Sequence, residues 1–211
     1  MIHKSQSPLP DIDKTSSVYD RAEQDARAVF VAAHGAGSHK DHRSMLELSA
    51  ALRPRGFDVV RFNFPYREKG ARAPDRMPKL QACFRAVVDE VRKDLGTKKL
   101  VIGGRSMGGR VASMLAAEGL PCDALLLFAY PLHPAGEPER LRAAHLPKIE
   151  VPVLCINGTR DALCRRELMD RAIEGLGWHM HWLEGKDHSF AVTAEVGALA
   201  GEWLSRITRA K

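Results

Sequence analysis

Three things are scarce in this chain: aromatic residues, cysteine and long apolar runs. Aromatics make up 6% of the 211 positions, and no run of lysine and arginine is interleaved with them. Proteins that stack bases on aromatic platforms inside a basic groove need that combination, so no nucleic-acid partner is expected. The basic excess, 32 residues against 26 acidic and a net charge of +6, is scattered along the chain. It suits small anionic compounds better than a polyanion. The four cysteines, Cys83, Cys122, Cys155 and Cys164, show no CxxC spacing, which excludes a zinc ribbon and argues against a disulfide framework. No stretch approaches the length of a membrane span, and residues 1–17, polar with Pro8 and Pro10, lack the apolar core of an export signal. A cytoplasmic protein with reduced thiols and no membrane partner is the expectation.

What is present is a regular alternation. Short apolar runs at 28–33, 57–62, 100–104, 124–128, 153–157 and 178–183 have the near-continuous hydrophobicity of strands covered on both faces. Between them, helical spacing appears at 42–52, 79–95, 106–117, 163–176 and 191–207. The alternation predicts an α/β fold, a mostly parallel doubly wound sheet of six to seven strands with helices on both faces. Residues 1–27 read as an N-terminal extension, with a possible edge strand at 17–20 and the rest partly disordered, and residues 28–211 as a single domain. The polar stretches 67–78 and 130–147 are too short for a separate lid domain and are expected to shape the pocket.

In such a sheet, ligands bind beyond the carboxyl ends of the strands, so the chemistry should follow strands in the sequence. After 100–104 comes Gly104-x-Ser106-x-Gly108, the spacing of a serine held on a sharp strand-to-helix turn, a nucleophile elbow. A serine hydroxyl needs a base, and the base needs a carboxylate to hold it. Asp161 follows the strand at 153–157 and His188 follows the last strand, giving the order serine, aspartate, histidine. Ser106, Asp161 and His188 are therefore the candidate triad. Asp187, the competing acid, adjoins the histidine and reaches back to it with difficulty.

HGAG at 34–37 lies at a neighbouring strand end, where small residues let backbone N–H groups approach a substrate oxygen. The backbone N–H groups of Ala36 and Met107 are the candidate oxyanion hole, with His34 a structural hydrogen-bonding residue. His133, Tyr66 and Arg105 are candidates for substrate contact. Arg105 and Arg110 flank the elbow, each expected in a helix-surface ion pair or against a substrate carboxylate. His39 and His42 lack a third convergent ligand, and His179 and His181 share one strand face, so neither a metal nor a cofactor is expected.

The motifs HGAG at 34–37, RFNFPY at 61–66, GGRSMGGR at 103–110, YPLHP at 130–134, GTRD at 158–161 and DHSF at 187–190 together resemble the α/β-hydrolases. The chain is most similar to the small bacterial predicted hydrolases akin to dienelactone hydrolases. Relatives of that group include an animal testis-expressed protein and a subunit of a histone acetyltransferase complex. The resemblance implies the hydrolase fold with Ser106, Asp161 and His188 as triad, and names no substrate. A serine hydrolase of small acyl esters or thioesters is the expectation. A non-catalytic interaction module and an acyltransferase are the alternatives.

Overall fold

The computed structural model describes residues 15 to 209, so the expected disorder and the part of the N-terminal extension at 1–14 lie outside the described residues. Seven strands among the described residues form one sheet in the order β1-β3-β2-β4-β5-β6-β7. They are β1 Ser17–Asp20, β2 Ala28–Ala33, β3 Phe57–Phe62, β4 Lys99–Arg105, β5 Ala124–Phe128, β6 Val153–Gly158 and β7 His179–Leu183. β1 runs antiparallel to β3, with Ser17 opposite Phe62, and the other neighbours are parallel. The mostly parallel, doubly wound α/β architecture expected from the sequence is the one observed.

Among the described residues six helices accompany the sheet: α1 Arg43–Leu52, α2 Pro65–Glu68, α3 Met77–Lys93, α4 Met107–Ala117, α5 Arg166–Ala172 and α6 Ala194–Arg209. Side chains alternate across β2. Val29, Val31 and Ala33 join Leu80, Phe84 and Val88 of α3 and Val111 and Leu115 of α4 on one face. Ala28, Phe30 and Ala32 join Met45, Leu48 and Leu52 of α1 and Val196, Ala200 and Leu204 of α6 on the other. Both faces of the inner strands are thus covered, and their runs need no polar alternation.

Differences from the sequence expectation occur at ends and in loops. α2, a single turn begun by Pro65, interrupts what reads as a continuous loop; proline preorganises a first helical turn. α5 is shorter than the expected 163–176, because residues 161–164 form a turn around the Asp161 carboxylate and Gly175 and Gly177 take positive φ beyond its end. α1 begins at Arg43 because His42 caps it, its Nδ1 accepting from Ser44 N–H. Between β5 and β6 the only regular structure is a 3-10 turn, Leu146–Lys148. No helix among the described residues is long and apolar enough to cross a membrane.

The topology also locates a crevice. From β2 the chain steps outward to β3, then crosses back to β4 on β2's other side. The loops leaving β2 and β4 therefore separate above the sheet, at the switch point where ligands enter folds of this kind.

Candidate active site

β4 ends at Arg105 and α4 starts at Met107, leaving Ser106 alone to turn the chain, with φ 50° and ψ −119°. That region is strained for any residue with a Cβ, and it persists because its surroundings fix it. Ser106 N–H donates to the Phe128 carbonyl at 2.9 Å, tying the turn to the exit of β5. Gly108 completes it: a Cβ there would stand 2.3 Å from the Ala33 carbonyl oxygen, so the first turn of α4 lies against β2 only when that side chain is absent.

Ser106 Oγ lies 2.8 Å from His188 Nε2, and His188 Nδ1 lies 2.8 Å from Asp161 Oδ2. The Asp161 side chain is fully buried, its other oxygen accepting from Leu163 N–H at 2.8 Å. Asn157 Nδ2 adds a weaker bond to Oδ2 at 3.3 Å. An ionised carboxylate only accepts, so these partners assign the ring proton to Nδ1 and leave Nε2 to accept from the Ser106 hydroxyl. Asp187 does not take part: it is exposed and accepts from Ser189 N–H at 2.8 Å.

Asn157 is a residue that the sequence reading passed over. Fully buried at the end of β6, it accepts from Tyr130 N–H at 2.8 Å and donates to Tyr130 C=O at 3.1 Å while touching Asp161. The signal was an amide inside an apolar strand, where a polar group is retained only with partners. Gly158 beside it brings in the histidine loop, since a Cβ at 158 would stand 2.1 Å from the Lys186 carbonyl oxygen.

A cavity of about 490 Å³ opens beside Ser106, bordered by Gly35, Ala36, Gly37, Arg105, Leu163 and His188. The backbone N–H groups of Ala36 and Met107 have no acceptor among the described residues and remain available as donors. A roomier cleft of about 690 Å³ at Arg27, Arg55 and Arg206 has neither histidine nor cysteine in its lining, and is remote from this chemistry. No cluster of three or more metal-binding side chains occurs among the described residues.

His34 is fully buried, as a structural histidine should be. Its Nε2 accepts from Phe64 N–H at 3.2 Å, so Nδ1 carries the proton and donates to Gly35 C=O at 2.8 Å. Burial lowers its pKa from 6.5 to about 4, which keeps the ring neutral.

The remaining candidates are placed differently from expectation. Arg105 is no helix-surface residue: it is 8% exposed, makes no ion pair among the described residues, and donates from Nη2 to the His188 carbonyl at 2.7 Å. Its guanidinium lies 4.8 Å from the Phe190 ring centre, and burial lowers its pKa. The fork thus braces the histidine loop while bordering the cavity. Arg110, half-buried one turn along α4, also makes no ion pair among the described residues, and its Nε is buried without a partner. His133 is corrected more fully. Its Nδ1 lies 2.8 Å from Pro134 C=O and its Nε2 accepts from Arg165 N–H at 3.0 Å, so neither nitrogen is left for a substrate. Tyr66, 3% exposed, packs edge-on against His34 at 5.9 Å and is not part of the cavity wall. The partners of Arg105, His133 and Tyr66 are backbone groups or rings brought close by the fold, which sequence spacing does not reveal.

A mostly parallel sheet with a serine on a strained strand-to-helix turn, hydrogen-bonded to a histidine and an aspartate from later strand ends, defines an architecture of the α/β-hydrolase class. Residues 26–210 match the model of the alpha/beta hydrolase domain family, and the chain belongs to that family. Solved structures agree in fold. TT1662 from Thermus thermophilus is 21% identical, with a TM-score of 0.81 over 100% of both chains. XC6422 from Xanthomonas campestris, described as an α/β serine hydrolase without lid, is 22% identical with a TM-score of 0.78, covering 100% of this chain and 98% of that one. A dienelactone hydrolase from Anabaena variabilis is 18% identical with a TM-score of 0.75, covering 97% of this chain and 96% of its own.

Proposed function

We propose that the protein is a serine hydrolase that cleaves an ester or thioester of a small acyl compound through an acyl-enzyme on Ser106. The observation that carries this is the unbroken hydrogen-bond chain Asp161–His188–Ser106, with both links at 2.8 Å, at the edge of an open cavity. His188 Nε2 takes the hydroxyl proton as Ser106 Oγ attacks the acyl carbon, and Asp161 holds the resulting imidazolium. The oxyanion of the tetrahedral intermediate accepts from the N–H groups of Ala36 and Met107, donors with no acceptor among the described residues. Collapse expels the alcohol or thiol, which takes the proton from His188, and a water activated by the same imidazole releases the acid. A cavity of about 490 Å³, with no lid over it among the described residues, favours small or flexible acyl groups over long lipids.

The experiment is a series of p-nitrophenyl esters of graded chain length together with acyl-CoA thioesters. Hydrolysis of the short members, lost by a factor of about 10⁴ or more in a folded Ser106→Ala variant, is the expected result. Turnover unaffected by that substitution would move the nucleophile elsewhere.

A further inference from the structure

The segment RFNFPY at 61–66 is unused by this chemistry: none of its side chains hydrogen-bonds to Ser106, Asp161 or His188 among the described residues. Asn63 and part of the Arg61 guanidinium reach instead to the loop that leaves β2. Residues Gly35 to Ser38 of that loop border the Ser106 cavity, and a Cβ at Gly35 would stand 3.5 Å from Ser106 Cβ. The loop is fastened at both ends. At its start, the His34 ring accepts from Phe64 N–H. At its far end the Lys40 backbone is held by two side chains: its N–H donates to Asn63 Oδ1 at 2.8 Å, and its C=O accepts from Arg61 Nη1.

Arg61 is itself held in place. At 4% exposure, its Nε and Nη2 fork onto Asp20 of β1 at 2.6 and 3.3 Å, while Nη1 reaches Asp41 Oδ1 at 3.0 Å. Ser49 Oγ donates to the same Asp20 oxygen at 2.6 Å. A buried ion pair adds little to stability over well-packed apolar side chains, because desolvation offsets the attraction. What it adds here is geometry, since a leucine at 61 fills space but cannot hold a carbonyl.

We propose that Arg61 and Asn63 are positioning residues for the oxyanion loop, and that Asp20, by orienting Arg61, makes the N-terminal edge strand part of the same device. The inference rests on the hydrolase function proposed above. Together, Asn63 and Arg61 hold the two peptide groups that flank the Lys40 Cα, and through the short turn Gly35–Lys40 they fix where the Ala36 N–H points. Displacements near 1 Å in such groups cost about 10²-fold in rate. Ground-state binding, which does not need the oxyanion donor, is spared.

The test uses the full chain with Asn63→Ala, Arg61→Lys and Asp20→Asn, each titrated to end point with a fluorophosphonate so that only competent sites are counted. The expected result is kcat per titrated site down about tenfold or more with KM little changed. Affinity for a trifluoromethyl ketone, whose adduct places an oxyanion in the hole, should fall in parallel with kcat/KM. Fewer titratable sites with unchanged kcat per site would reduce the network to a structural role and overturn the proposal. Should Arg61→Lys fail to fold, Asn63→Ala, which removes one neutral hydrogen bond, decides alone. If wild-type protein takes no fluorophosphonate, the hydrolase function fails separately. Amide exchange at Gly35–Ser38 in Asn63→Ala then reads the fastening, and exchange no faster than wild type overturns it.

Discussion

Acid should loosen this protein through a residue that takes no part in proton transfer. His34 is fully buried and neutral, its pKa lowered from 6.5 to about 4 by burial, and its Nε2 is committed as acceptor to Phe64 N–H. Protonating Nε2 sets one N–H against another and buries a cation. The unfolded chain binds the proton near 6.5 and the folded one near 4, so stability is complete above the higher value and drains away as pH falls between them. The full gap is worth about 3 kcal/mol, of which about 2 kcal/mol is lost between pH 7 and pH 5. Urea denaturation of wild type and His34→Gln at both pH values measures it. His145, whose pKa is also lowered to about 4 by burial, adds a slope of the same sign to both proteins, so the difference between their slopes isolates His34. Wild type should lose about 2 kcal/mol more than the variant on going to pH 5. Parallel losses would refute the assignment of a neutral, acceptor-committed ring.

Four further outcomes follow from the site. Ser106→Gly should be inactive yet more stable than Ser106→Ala by about 1 kcal/mol in thermal denaturation, because φ 50° strains any residue with a Cβ. Gly158→Ala drives a methyl against the Lys186 carbonyl at 2.1 Å; it should destabilise by about 1–3 kcal/mol and lower kcat in the fraction that stays folded. Asp161→Asn should lower kcat by about 10⁴. Asp187→Ala, which removes only an exposed cap on Ser189, should stay within about tenfold of wild type in the same ester assay.

The strands were the legible part of the sequence. The runs at 28–33, 57–62 and 124–128 are β2, β3 and β5 to the residue; β2 and β5, buried on both faces, have no polar gaps to confuse their ends, and in β3 the polar Asp58 and Arg61 are themselves buried. Ser106, Asp161 and His188 were visible as candidates because a parallel sheet sends its chemistry to strand ends, a constraint readable in one dimension. Side chains whose partners are main-chain atoms were not. Arg105 looks like a surface cation until the His188 carbonyl comes within 2.7 Å, and His133 looks like a pocket residue until two backbone groups occupy its ring. Asp20 and Arg61 stand 41 positions apart, and only the antiparallel pairing of β1 with β3 brings them together.

Intact mass and peptide mapping after reaction with a fluorophosphonate probe most directly test the claim that His188 activates Ser106 as a nucleophile. One adduct per chain, located on Ser106 and formed far more slowly in a folded His188→Ala variant, is the predicted result. No adduct under conditions that label a known serine hydrolase, or an adduct on another residue, would contradict it.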